Sequence, residues 1–163
     1  MKKLITAGIV SLVVLATAYA IVAPHQNFAG TWALDKSKSE GLGRNMENAE
    51  VTMVVTQDDR QLTVETQAGG PGEKFAYNLD GSKTTADVGG RMPGKASLAA
   101  AWEDGGRALS LNQERTMNFN GNDVTITIKE HWSLDGSGNV LTIKRTSESP
   151  RGTRESTLTF NRK

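Results

Sequence analysis

Four charged side chains fall where a β-strand would turn them toward its apolar face. Arg115 shares strand parity with Leu109, Leu111, Met117 and Phe119, and Gln113 falls among them. Glu130 shares parity with Val124, Ile126, Ile128, Trp132 and Leu134, and Arg145 with Leu141 and Ile143. Arg154 shares parity with Ser156, Leu158 and Phe160. Side chains alternate across a strand, so four consecutive strands each aim one charge inward near mid-length. If the turn at 135–138 sets Leu134 opposite Leu141, Glu130 faces Arg145 as an opposite-charge cross-strand pair. Three arginines against one glutamate leave a positive excess, which is costly inside a protein unless water or an anion compensates it. Arginine presents a planar fork that suits a carboxylate. The pattern therefore predicts an anionic head group gripped by Arg115 and Arg154, near Arg145, Glu130 and Gln113. The apolar remainder would lie against Trp132, Trp102 and Tyr77. Two other readings stay open: a β-bulge could turn an arginine to water, or the charges could sit at a solvated rim.

Other chemistries are poorly supplied. The chain has no cysteine and two histidines, His25 and His131. His25 falls in a segment expected to be flexible, and His131 shares the outer face with Lys129 and Ser133. No serine has a plausible histidine partner, so no catalytic residue is expected. Residues 89–96 fail as a phosphate-binding loop, because Ala96 stands where magnesium needs a hydroxyl and Pro93 interrupts the loop. Asp135, Ser137 and Asn139 open like a calcium loop, but Thr146 stands where an acid should close it. No metal and no cofactor is expected.

The elements that must position these residues are strands. Short alternating runs cover 28–35, 50–57, 61–67, 74–79, 83–88, 95–102, 108–119, 123–134, 140–147 and 153–161. Turn residues separate them, including Asp80-Gly81, Gly121 and Asp135-Gly136. Short connections make sequence neighbours spatial neighbours, which gives an all-β antiparallel meander. Eight to ten such strands hide their edges by closing into an up-and-down barrel. The one long connection, 36–49, is polar and weakly helical, and reads as a loop or lid beside the mouth.

Composition narrows the class. The 163 residues fit one domain after an N-terminal leader. Met1-Lys2-Lys3 is a short positive start, 4–16 is apolar except for Thr6 and Ser11, and Ala18-Tyr19-Ala20 is a small-x-small cleavage site. That layout predicts a signal peptide over 1–20, a barrel domain over 21–163, and a secreted or periplasmic location. Losing Lys2 and Lys3 takes the formal net charge of +1 slightly negative. Such a balance argues against a nucleic-acid partner, and a membrane partner is expected only if the leader stays as an anchor. A monomer is expected.

The string Phe28-Ala29-Gly30-Thr31-Trp32-Ala33-Leu34-Asp35-Lys36-Ser37-Lys38-Ser39 resembles the opening of lipocalins and the wider calycin superfamily. With Trp132-Ser133-Leu134-Asp135-Gly136 and Leu141-Thr142-Ile143-Lys144-Arg145, it looks like a bacterial secreted lipocalin-like domain. The resemblance implies structural roles for Gly30 and Trp32, with Trp32 closing the barrel floor under a basic residue from near the last strand. Arg154 and Arg162 both have the parity for that place. The fatty-acid carriers of the superfamily are similar in using interior arginines for acid groups.

Together these features predict an exported carrier for a small apolar or anionic molecule. The alternative is a filled barrel that binds a protein or glycan through loops or outer surface. Cleavage should leave Ile21 as the first residue of exported protein, and N-terminal sequencing reads it directly. Intact Met1 protein recovered from membranes would mean an anchor instead.

Overall fold

The computed structural model describes residues 24–163 apart from 71, 90–92 and 120. The expected leader lies outside the described residues, as does part of the glycine-containing segment 89–96.

Alternation of buried and exposed residues generates ten strands. They are β1 (Gly30–Leu34), β2 (Val51–Gln57), β3 (Gln61–Ala68), β4 (Glu73–Asn78), β5 (Thr84–Val88), β6 (Gly94–Glu103), β7 (Ala108–Phe119), β8 (Asn122–Leu134), β9 (Val140–Ser149) and β10 (Gly152–Arg162). On β2, for example, Val51, Met53 and Val55 are buried, while Thr52, Val54 and Thr56 turn outward. Each strand pairs antiparallel with its sequence neighbour, except at one place. The ladder order is β4-β3-β2-β1-β10-β9-β8-β7-β6-β5, so β1 joins the last strand and the meander closes. β4 and β5 end the ladder and form an unsealed seam. Side chains span it instead: the Thr84 hydroxyl donates to the Ala76 carbonyl at 2.7 Å. The sheet is thus a ten-stranded up-and-down barrel, as the meander pattern predicts.

One end of the barrel is packed solid. Trp32 is fully buried, and its indole Nε1 donates to the Phe28 carbonyl at 3.0 Å. The Arg162 guanidinium lies over the Trp32 ring, 4.2 Å from its centroid. Arg162 also donates through Nη1 to Ala29 O at 2.7 Å and through Nε to Gly138 O at 3.0 Å. Arg162, not Arg154, is therefore the basic residue that covers the tryptophan. Gly30 has φ +149°, and a Cβ there would collide with the Arg162 guanidinium. Glycine is what lets the arginine reach the floor.

The N-terminal segment packs against the barrel at His25. Its ring stacks on Trp102 with centroids 4.3 Å apart, and Phe28 meets both Trp102 and Trp132. Gln26 N donates to Gly106 O at 2.7 Å, which ties the segment to the turn before β7.

The other end carries the 36–49 connection. It forms a 3-10 turn at Lys36–Lys38 and a short helix, α1 (Arg44–Asn48). Asp35 anchors it: one carboxylate oxygen accepts from Ser37 N and Oγ, and the other from Asn161 Nδ2. The Ser37 and Asn161 hydrogen bonds, with Lys38 nearby, hold the Asp35 pKa at about 2. Ser39 Oγ accepts from Thr159 N, and Glu40 exchanges backbone bonds with Thr157, so the strap lies along β10.

The Asp135 turn is a hairpin closure. One Asp135 oxygen accepts from Asn139 N and Val140 N, and the other from Ser137 Oγ. Those bonds account for the spacing that imitates a calcium loop.

Truncating the floor should be costly. Trp32→Ala is expected to lower stability by about 3–5 kcal/mol, the usual range for deleting a buried aromatic ring. A urea unfolding midpoint checks it, and an unchanged midpoint would mean that the floor carries no stability.

Candidate functional site

The middle of the barrel holds two buried or half-buried charge clusters on one wall. β8 and β9 supply the first. Their register sets Leu134 opposite Leu141, Trp132 opposite Ile143 and Glu130 opposite Arg145. Glu130 is buried, with 4% of its side chain exposed, and Arg145 reaches Glu130 Oε1 through Nε at 2.7 Å and Nη2 at 2.6 Å. The second oxygen, Oε2, accepts from Trp132 Nε1 at 2.7 Å. Both faces of the carboxylate are thus engaged, which is the condition for keeping an ion in such a place.

β7 and β4 supply the second cluster. Arg115 donates through Nη1 and Nη2 to the Glu73 carboxylate at 3.1–3.2 Å. Its Nε and Nη2 also donate to the buried Gln113 Oε1, at 3.0 Å and 2.8 Å. The guanidinium lies 4.9 Å from the Phe75 ring centroid. Glu73 corrects the expectation of a positive excess. The strand begins at Glu73 rather than at residue 74, so Glu73, Phe75 and Tyr77 share the inner face. Among the described residues, the charges lining the cavity are thus two acids, Glu73 and Glu130, and two bases, Arg115 and Arg145. Parity of the type applied to Arg115 would have found Glu73 had the strand been started one residue earlier.

Tyr77 completes this wall. Burial first, and the Glu130 charge second, push its phenol well above the ordinary tyrosine range, with Arg115, a Gln113 hydrogen bond and Arg145 acting the other way. The phenol is therefore neutral and available to share a hydrogen bond.

Between these clusters lies a cavity of 210 Å³. Its lining interleaves apolar Met53, Val64, Phe75, Leu111 and Ile128 with polar Tyr77, Gln113, Arg115, Glu130 and Arg145, so that Leu111 pairs with Glu130 and Ile128 with Gln113. Trp132 lines one end and Met46 of α1 caps the other. The connection expected to be a lid does contribute a side chain to the cavity.

Two of the expected residues stand elsewhere. Trp102 stacks on His25 at the packed end and does not line the cavity. Its parity is inward, but it lies too near the strand end to reach the middle. Arg154 is exposed at the opposite rim, beside Gly43 and a depression that it shares with Arg44, Arg145 and Ser156. It lies near the start of β10, where the strand has passed the body of the barrel. His131 is outward as expected, its Nδ1 2.7 Å from Glu103 Oε2.

No protein-family profile matches the sequence, and no curated protein does. Solved structures match through their shape. Zebrafish ileal bile acid-binding protein in complex with cholic acid superposes with TM-score 0.55 at 14% identity, over 83% of this chain and 98% of that one. The REP1-NXSQ fatty acid transporter gives TM-score 0.58 at 14% identity, over 83% and 96% of the two chains. Lipid binding protein 8 of Caenorhabditis elegans, in its apo form, gives 0.54 at 14% identity, over 83% and 95%. At 14% identity these matches show a shared fold, the antiparallel up-and-down barrel described above.

The buried ion pair generates its own test. Glu130→Gln keeps an acceptor for Trp132 but strands the Arg145 charge, and should cost about 3 kcal/mol of stability. A urea midpoint within error of the wild type would place the pair in effective contact with water.

Proposed function

We propose that this chain is an exported binding protein that encloses a small amphipathic molecule in its barrel. The observation that carries the reading is the 210 Å³ cavity, whose lining mixes apolar side chains with Tyr77, Gln113 and Arg115. An apolar body would lie against Met53, Val64, Phe75 and Leu111, and a polar group would meet Tyr77, Gln113 or Arg115 among them. Among the matched structures, one is a bile acid-binding protein with cholic acid and another a fatty acid transporter, which supports the same class of ligand. The leader-like first twenty residues and the Gly30, Trp32 and Arg162 floor support a secreted lipocalin-like protein acting outside the cytoplasm.

The size of the cavity favours a second reading to be tested beside it. Ligand pockets commonly measure about 300–1,000 Å³, so a filled barrel that binds a protein or glycan through its loops is the competitor.

Native mass spectrometry of undenatured protein should find a co-purifying small molecule, and an apolar fluorescent probe should brighten on binding. Val64→Phe sets a ring into the cavity wall, at a packing cost of about 1–3 kcal/mol. It should abolish both signals while the protein stays folded. Signals that survive Val64→Phe, or that are absent from the wild type, would favour the filled barrel.

A further inference from the structure

The interior charges cancel, and those at the mouth do not. Arg115 is matched by Glu73 and Arg145 by Glu130. Arg44, the first residue of α1, and Arg154, near the start of β10, have no ion-pair partner within 4 Å among the described residues. Residues outside the description contain no aspartate or glutamate that could supply one. Both arginines line one open depression of about 510 Å³ between α1 and the strands β8, β9 and β10. Ser147 and Ser156 add hydroxyls to its wall, and no carboxylate lines it. The floor is apolar, formed by Met46, Ile128 and Leu158. Met46, Ile128 and Arg145 line this depression and the interior cavity alike, so the two spaces adjoin.

Resting on the binding function proposed above, we infer that the mouth depression is the anion subsite. A bound amphiphile places its sulfonate, phosphate or carboxylate between Arg44 and Arg154, and its apolar body runs inward past Met46 and Ile128. Two observations favour this orientation. An anion placed inside would meet arginines whose charge Glu73 and Glu130 already balance, and would leave the interior with a negative excess. An anion at the mouth meets two exposed arginines with no ion pair among the described residues, and gains charge-assisted hydrogen bonds without breaking one. The inner wall, with no net charge and a neutral Tyr77, suits a hydroxyl, a carbonyl or plain hydrocarbon.

The test uses two probes with one aromatic body: phenylnaphthylamine, which is neutral, and anilinonaphthalene sulfonate, which carries the anion. The double variant Arg44→Met/Arg154→Met alters exposed residues and should fold as the wild type does. It should weaken the sulfonate probe by about tenfold or more and leave the neutral probe within about twofold, because only the charged contacts are removed. The Arg→Lys double variant should recover part of the loss. Wild-type affinity for the sulfonate should fall with added salt, and affinity for the neutral probe should not. If both probes bind and the double variant changes neither, the subsite is overturned while the binding function stands. Loss of adsorption to phosphatidylglycerol vesicles with both probes unaffected would instead give the arginines to a lipid surface, and would also overturn it. If the wild type binds neither probe, the binding function falls and the subsite with it.

Discussion

A carboxylate inside a protein is tolerable only if each of its oxygens has a partner. Glu130 meets that condition from two directions at once: Arg145 takes one oxygen and the Trp132 indole the other. The Trp132 bond comes from the same strand and the same face, two residues away. The Arg145 bond comes from across the hairpin and holds only in one register. A slip of one residue would carry Arg145 to the outer face and leave Glu130 alone. The register of β8 on β9 also sets Trp132, which lines the cavity, opposite the buried Ile143.

The packed end obeys a different constraint. A tryptophan at the base of a barrel brings a large ring with one polar atom, and both must be dealt with. Phe28 O takes the indole proton, and Arg162 covers the ring while its own donors go to Ala29 O and Gly138 O. That arrangement needs the close approach at Gly30. The N-terminal segment then seals what remains, with His25 on Trp102. With one end filled in this way, exchange with solvent is left to the mouth, where α1 and Met46 stand.

Charge is therefore distributed by depth. Pairs that desolvate are neutral in sum, and unmatched arginines occur where water can reach them. This division follows from the cost of burying a net charge rather than from any single contact. It also gives the barrel a direction, with paired charges inside and two exposed arginines lining the depression at the mouth.

Much of this was legible in the chain, because the side-chain period of a strand is two and its errors do not spread. All ten strands, the closure of the meander and the facing of Glu130 and Arg145 follow from alternation plus turn chemistry, and the burial of Trp32 from the resemblance of its Gly-Thr-Trp string. What alternation cannot give is depth along the strand. Arg154 and Trp102 have inward parity like Arg115, yet one ends at the exposed rim and the other in the packed end, because position along the barrel axis depends on where each strand enters and leaves the sheet. The same limit hid Glu73, whose place depends on the residue at which β4 begins. The choice of Arg162 over Arg154 as the cover of Trp32, and the stacking of His25 on Trp102, required the pairing of β1 with β10 and the path of the N-terminal segment. These are contacts between residues far apart in sequence, and only the closed barrel brings them together.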